Sequence, residues 1–81
     1  EHNNIFNIGP NPAYNSVSIT SNLNAEEQLK VNIYNEMGVC VFENTINSIS
    51  TIDLSDIESG MYFIHIQSNT KKHTYKLLIA K

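Results

Sequence analysis

The chain has no tryptophan and no arginine, one cysteine (Cys40), three glycines and two prolines in 81 residues. One cysteine cannot close an internal disulfide, and it excludes a cysteine-rich metal site. The five lysines form no stripe, and the formal net charge is −3. That balance argues against nucleic acid and against an anionic membrane surface as partners. No apolar run approaches the roughly 20 residues of a membrane-spanning helix. The opening "EHNNIFNIGPNPAYN" has neither a positive n-region nor a continuous apolar core, so it does not read as a signal peptide. Helix is equally scarce. No segment sustains a 3.6-residue apolar period for three turns, and the nearest candidate, "NAEEQLK", is too short.

What is present is asparagine, serine and isoleucine. Asn and Ser favour turns because their side chains bond nearby backbone. Isoleucine favours pleated, half-buried strands. Eighty-one residues make one small domain with a thin stability margin and no room for a separate catalytic domain. The first residues, "EHNN", read as linker. The expectation is a fragment, the tail of a longer precursor, with residues 1–8 as linker and possible first strand and 9–81 as the domain.

Strands follow from alternation. "IFNI" (Ile5 to Ile8) comes first and "GPNP" breaks it, since Pro10 and Pro12 donate no backbone hydrogen bond. "VSIT" (Val17 to Thr20) is next, followed by a polar turn, "SNLNAEE". In "QLKVNIYN", Leu29, Val31 and Ile33 share one face. "NEMG" suits a type I turn ending in a left-handed glycine, Gly38. That register sets Ile33 against Val41 and Tyr34 near Cys40. The return strand, "VCVFEN", is apolar on both faces, so its inward side stays open. "ISTIDL" (Ile49 to Leu54) is another strand. "SDIESG" is a turn, or one helical turn capped by Ser55 with Glu58 three residues on.

The last stretch, "GMYFIHIQSNTKKHTYKLLIAK", reads as a hairpin. A four-residue loop, Asn69 to Lys72, pairs Ile66 with Tyr75, Ile64 with Leu77 and Tyr62 with Ile79. All the apolar partners then share a face. Phe63, His65, Lys76 and Leu78 lie on the other, which is mixed and partly solvated. The total is about seven short strands with frequent turns, the pattern of a small all-β antiparallel sandwich.

Chemistry-bearing residues are sparse. His65 and His73 fall on opposite faces, and no carboxylate or thiol joins them or His2 at ligand spacing. Cys40 has no Cys-His-Asn context and reads as a small packing residue. Glu26, Glu27, Asp53, Asp56 and Glu58 lie in or beside turns, where solvated carboxylates are ordinary. No phosphate loop, nucleophile elbow or zinc motif occurs. The reading is a non-enzyme without cofactor or metal. Asp53 is expected to accept backbone N–H bonds at its turn. Tyr62 and Tyr75 are expected to be largely buried, with hydroxyls reaching polar partners.

Together "GPNPAYNSVSI", "VNIYNEMGVCV", "IDLSDIESGMYFIHI" and "TYKLLIAK" resemble the type A C-terminal sorting domain of the type IX (Por) secretion system of Bacteroidetes. The likeness runs from about Ile8 to Lys81. Pro10, Asn11 and Pro12 match the family's opening turn, and Ile33, Tyr34 and Gly38 its central strand and turn. Asp53, Leu54 and Ser55 match its "I-D-L-S" element, Gly60 and Tyr62 its "G-x-Y" element, and Lys76 the lysine of its last strand. Gly9 and Cys40 depart from the family's usual choices. The resemblance implies an immunoglobulin-like sandwich that serves as an address label. Its implied partners are the outer-membrane secretion machinery, a sortase-like peptidase that removes it, and an N-terminal cargo domain in the same precursor. The implied route passes through the periplasm to the cell surface or the medium.

The candidate recognition residues are Pro10, Asn11, Pro12, Gly38, Asp53, Gly60, Tyr62 and Lys76. Lys76 with the Gly60–Tyr62 turn is expected to form a docking patch on the last hairpin, by its exposed face or by strand addition at its edge. The competing reading is a carbohydrate-binding or adhesive accessory module. It is weakened by the lack of tryptophan and by exposed rings (Tyr14, Tyr34, Phe63) expected to be scattered. Edge strands of a small sandwich also pair between chains, so an edge-strand dimer is a further possibility.

Overall fold

The computed structural model describes residues 6–21, 28–47, 49–69 and 71–81. The expected polar turn over 22–27, with Glu26 and Glu27, lies outside the described residues, as does His2. Seven strands are present: β1 (Phe6–Gly9), β2 (Ser16–Ser21), β3 (Leu29–Asn35), β4 (Cys40–Ile46), β5 (Ile49–Asp53), β6 (Gly60–Gln67) and β7 (Lys72–Ile79). They form two sheets, in the orders β1-β2-β5 and β4-β3-β6-β7. Every strand pairing is antiparallel. The chain crosses from one sheet to the other between β2 and β3, back between β4 and β5, and again between β5 and β6. The fold is a small all-β sandwich of the immunoglobulin-like kind.

The alternation of each strand places its apolar residues between the sheets. Val17 and Ile19 of β2 and Ile52 of β5 face Leu29, Val31 and Ile33 of β3, Ile64 and Ile66 of β6, and Leu77 and Ile79 of β7 in one core cluster. Most of these are wholly buried. Burying such a side chain is worth about 1.5–3 kcal/mol, so this cluster holds the two sheets together. Phe6, Ala13, Leu54 and Ile57 join the same cluster from β1 and the loops. β1 (Phe6–Gly9) thus overlaps the stretch 1–8 read as linker and possible first strand.

The β3–β4 turn has the chemistry that "NEMG" indicates. Gly38 sits at φ 84°, a conformation that a Cβ disfavours. Its N–H donates to the Asn35 carbonyl (3.0 Å), and Asn35 N–H donates to the Val39 carbonyl (2.9 Å). The Asn35 side-chain oxygen also accepts from the N–H groups of Met37 and Val39. Tyr34 faces Cys40 as expected, but Ile33 faces Phe42, not Val41. A bulge at Ile33/Tyr34 shifts the register. It lets Phe42 pack on the core, which settles the inward side of β4.

The β6–β7 hairpin also departs from the expected register. Ile66 faces His73, Ile64 faces Tyr75, Tyr62 faces Leu77 and Gly60 faces Ile79. The strands are displaced by two residues, and the loop is 68–71. A two-residue slip keeps every side chain on its face, so hydrophobic patterning cannot detect it. Loop chemistry decides it. Ser68 N–H donates to the Lys71 carbonyl (2.8 Å), and Lys71 N–H donates to Ser68 Oγ (2.9 Å). No helical turn forms after β5; residues 55–57 are a turn and bend, with Ile57 N–H donating to the Leu54 carbonyl.

Candidate recognition site

The eight candidate residues are scattered in sequence, yet they lie on or beside the segments at one end of the sandwich. That end carries the segment 10–15, the β3–β4 turn and the 54–59 turn. Pro10, Asn11 and Pro12 begin a strap along the outer edge of β7. The Gly9–Pro10 and Asn11–Pro12 peptide bonds are cis. Neither proline can donate a backbone bond, and the Asn11 side chain does what a strand backbone would. Its Nδ2 donates to the Lys76 carbonyl (2.9 Å), and its Oδ1 accepts from Leu78 N–H (3.1 Å). Ala13 continues the pairing: its N–H donates to the Leu78 carbonyl and its carbonyl accepts from Ala80 N–H. This is a one-residue parallel bridge to Ile79. Lys76 lies next to Leu77, the cross-strand partner of Tyr62, and its carbonyl is held by Asn11.

The second group sits at the corner after β5. Asp53 Oδ1 accepts from both the N–H and the hydroxyl of Ser55. The expectation that Asp53 would serve its turn holds, and it is Asp53, not Ser55, that caps. These Ser55 bonds hold the Asp53 carboxyl below the ordinary aspartate range, hydroxyl first and N–H second. Slight desolvation opposes the shift and the Lys81 charge adds a smaller push. Tyr62 is buried and its hydroxyl donates to the Glu58 carbonyl (2.8 Å). Gly60 has φ 158°, and a Cβ there would lie 3.5 Å from the Tyr62 ring. Lys81 locks the corner: its Nζ donates to the carbonyls of Leu54 (2.7 Å) and Ser55 (3.0 Å), and its N–H to Ser59 Oγ. Sequence reasoning missed Lys81, Ser59 and Ala13, whose roles depend on partners 22 or more residues away.

This arrangement has a family to which it can be compared. The sequence profile of the secretion system C-terminal sorting domain matches residues 7–80. The chain belongs to that family. It is also 35% identical over 76 residues to an ulvan lyase, NLR42, of Nonlabens ulvanivorans. That match covers 89% of this chain and 14% of the lyase, so the chain spans about one-seventh of that relative's length. The role named for the family is sorting within the Por secretion system, not catalysis. Among the described residues, no three His, Cys, Asp or Glu side chains are placed to hold a metal ion.

Several single residues of the sorting domain can now be placed. His65 and His73 do lie on opposite faces: His65 packs edge-on to Tyr34, and His73 lies against Phe6 and Tyr75. Cys40 is not a packing residue. It is an exposed free thiol, because the bulge leaves it on the outer face beside Asn32. Tyr75 is half-buried, and its hydroxyl donates to the Phe6 carbonyl (3.3 Å). Burial pushes that phenol above its ordinary value. Tyr34 and Phe63 are not scattered: they are direct cross-strand partners. The β7 edge expected to accept a partner strand is already filled by Asn11 and Ala13 between Lys76 and Ala80.

Proposed function

We propose that this sorting domain is the address that the outer-membrane type IX secretion machinery reads in order to export a cargo domain joined ahead of β1. The match over residues 7–80 is the observation that carries the reading. In this reading the precursor waits in the periplasm and the folded sandwich engages the machinery. A sortase-like peptidase then removes it, leaving the cargo on the surface or in the medium. The similarity to 14% of an ulvan lyase is what a portable label would give, since the label need share nothing with its cargo. The candidate residues then act in two ways. Asn11, Gly38, Asp53, Gly60 and Tyr62 fix the shape of one end, while Pro10, Pro12 and Lys76, all exposed, are free to touch a partner.

The test is an export assay. Residues 1–81 are fused behind a periplasm-directed fluorescent reporter in a bacterium that has the machinery. Reporter on the surface or in the medium is expected, with a fusion lacking Thr74 to Lys81 retained. A folded whole domain that leaves the reporter in the periplasm sinks the reading. A Lys76→Ala fusion that folds and exports normally removes Lys76 from the recognition set. The adjacency of Tyr34 and Phe63 favours a second reading, an adhesive or carbohydrate-binding module. Retention in the assay, with glycan-dependent shifts of those two residues by NMR, would favour it.

A further inference from the structure

The two outer edges of the four-stranded sheet are not equivalent. On β7 the strap fills the edge from Lys76 to Ala80. On β4 no second segment lies alongside among the described residues. Two backbone groups there are met from within the strand: Cys40 Sγ donates to the Phe42 carbonyl, and Thr45 N–H donates to Asn44 Oδ1. The β3–β4 turn and the start of β4 also carry exposed apolar side chains. Met37 is 86% exposed, Val39 54% and Val41 40%. An unpaired edge with exposed apolar residues on it and at the adjoining turn is what a strand-adding partner uses.

Beside this edge lies a groove of about 340 Å³, lined by Asn35, Val41, Asp56, Ile57, Glu58 and Tyr62. Val41, Ile57 and Tyr62 give it apolar walls. Asp56 and Glu58 bring two carboxylates, and neither is in an ion pair among the described residues. An aliphatic stem with a cationic head suits such a groove.

We propose that the β4 edge and this groove form one docking surface for an extended segment of a partner protein, laid along β4 and carrying a lysine or arginine among aliphatic residues. Backbone pairing supplies affinity, Val39 and Val41 supply apolar contact, and Asp56 and Glu58 select the cation. A second copy's β4 is a poor occupant. Its sequence, CVFENTI, has no basic residue and carries Glu43. Only the partner's identity as secretion machinery rests on the sorting reading; the surface stands without it.

The first test is a titration of the isotopically labelled domain with an acetylated, amidated peptide of sequence TVTKVTV, followed by NMR. Saturable shifts confined to residues 39–46 and 56–58 are expected. Binding should weaken by about tenfold or more when glutamate replaces the peptide lysine, and likewise in an Asp56→Asn/Glu58→Gln variant. Val41→Lys should abolish it while the remaining spectrum is unchanged. No saturable response, equal response to both peptides, or shifts centred on β7 would overturn the proposal. The second test places Val41→Lys with Asp56→Lys in the reporter fusion, with folding checked by the same spectra. Retention of that variant beside an exported wild type supports the surface as the export contact. Export of both overturns that role and leaves the sorting reading intact. Retention of the wild type would fault the sorting reading alone, and the titration still decides the surface.

Discussion

The β6–β7 and β3–β4 hairpins share one sheet, yet their outer strands are built for different ends. β7 buries Leu77 and Ile79 completely or nearly so, and its far edge is filled by the strap. β4 has no buried residue; Phe42 and Ile46 are its only half-buried ones. One outer strand is tied into the core and covered, while the other rests on the sheet with no described residue pairing its far edge. On the docking proposed for β4, stability and recognition are separable in this sorting domain. The same side-chain chemistry has opposite consequences on the two strands.

The largest test of that contrast is a pair of truncations. Leu77→Ala removes a fully buried side chain and should cost about 3 kcal/mol. In a domain of this size that is a large share of the total. Val41→Ala, at an exposed site, should change stability by about 0.5 kcal/mol or less. Urea denaturation of both checks this. Similar losses in the two variants would break the comparison and make β4 part of the cooperative core.

Asn11→Ala comes next. It removes both bonds to β7 and leaves the Lys76 carbonyl and Leu78 N–H to water. The expected cost is about 1–2 kcal/mol. A second effect distinguishes edge protection from mere bonding: an opened β7 should self-associate. Sedimentation velocity should show concentration-dependent dimer in the variant and less in the wild type. A destabilised but strictly monomeric variant would mean that Ala13 and the prolines alone protect the edge.

Much of this was readable from the chain, and what was not has a common cause. Alternation named the seven strands and, outside β4, the inward residues, because burial acts at every second position. The Gly38 turn and the Asp53 cap were legible because their partners lie within four residues. The β6–β7 register was not, since a two-residue slip preserves every face and only the Ser68–Lys71 bonds choose between the alternatives. The bulge that turns Phe42 inward and leaves Cys40 outside was hidden by a strand apolar on both sides. Asn11 and Lys81 act on backbone groups 26 to 67 residues away, beyond the reach of any local pattern. As for the candidate site, the resemblance listed its residues, but only the fold brings Asn11 onto Lys76 and the Gly60–Tyr62 corner beside the end of β7.

A smaller effect tests the β3–β4 side alone. Gly38 is at φ 84° with open space around its Cα, so Gly38→Ala pays in backbone conformation and not in clash. About 1 kcal/mol is expected. Gly9, with no positive φ and equally open surroundings, should accept alanine within about 0.5 kcal/mol. Thermal melts of both variants check the difference. Equal melts would mean that the turn relaxes to another geometry at no cost, and that β4 is looser still.

The smallest effect concerns pH at the corner that Lys81 ties to the end of β5. Asp53 is held below its ordinary value by the Ser55 bonds. The folded state therefore releases this proton more readily than the unfolded chain does. Between the two values the unfolded chain binds more protons, so stability rises with pH across that window. The contribution is fully present above the unfolded value, about pH 4, and fades as pH falls through the folded one. Asp53→Asn cannot ionise. The stability gap between wild type and Asp53→Asn should thus be widest near pH 7 and shrink below pH 4. The comparison with the variant cancels the other carboxylates, which titrate in both proteins. Because Asp53 is exposed, the gap should also narrow in high salt. A gap that stays constant from pH 7 to pH 2.5 would show that Asp53 serves the turn by its shape as an acceptor and not by its charge. In that case asparagine would lose on geometry, and the corner would be held chiefly by Tyr62 and Lys81.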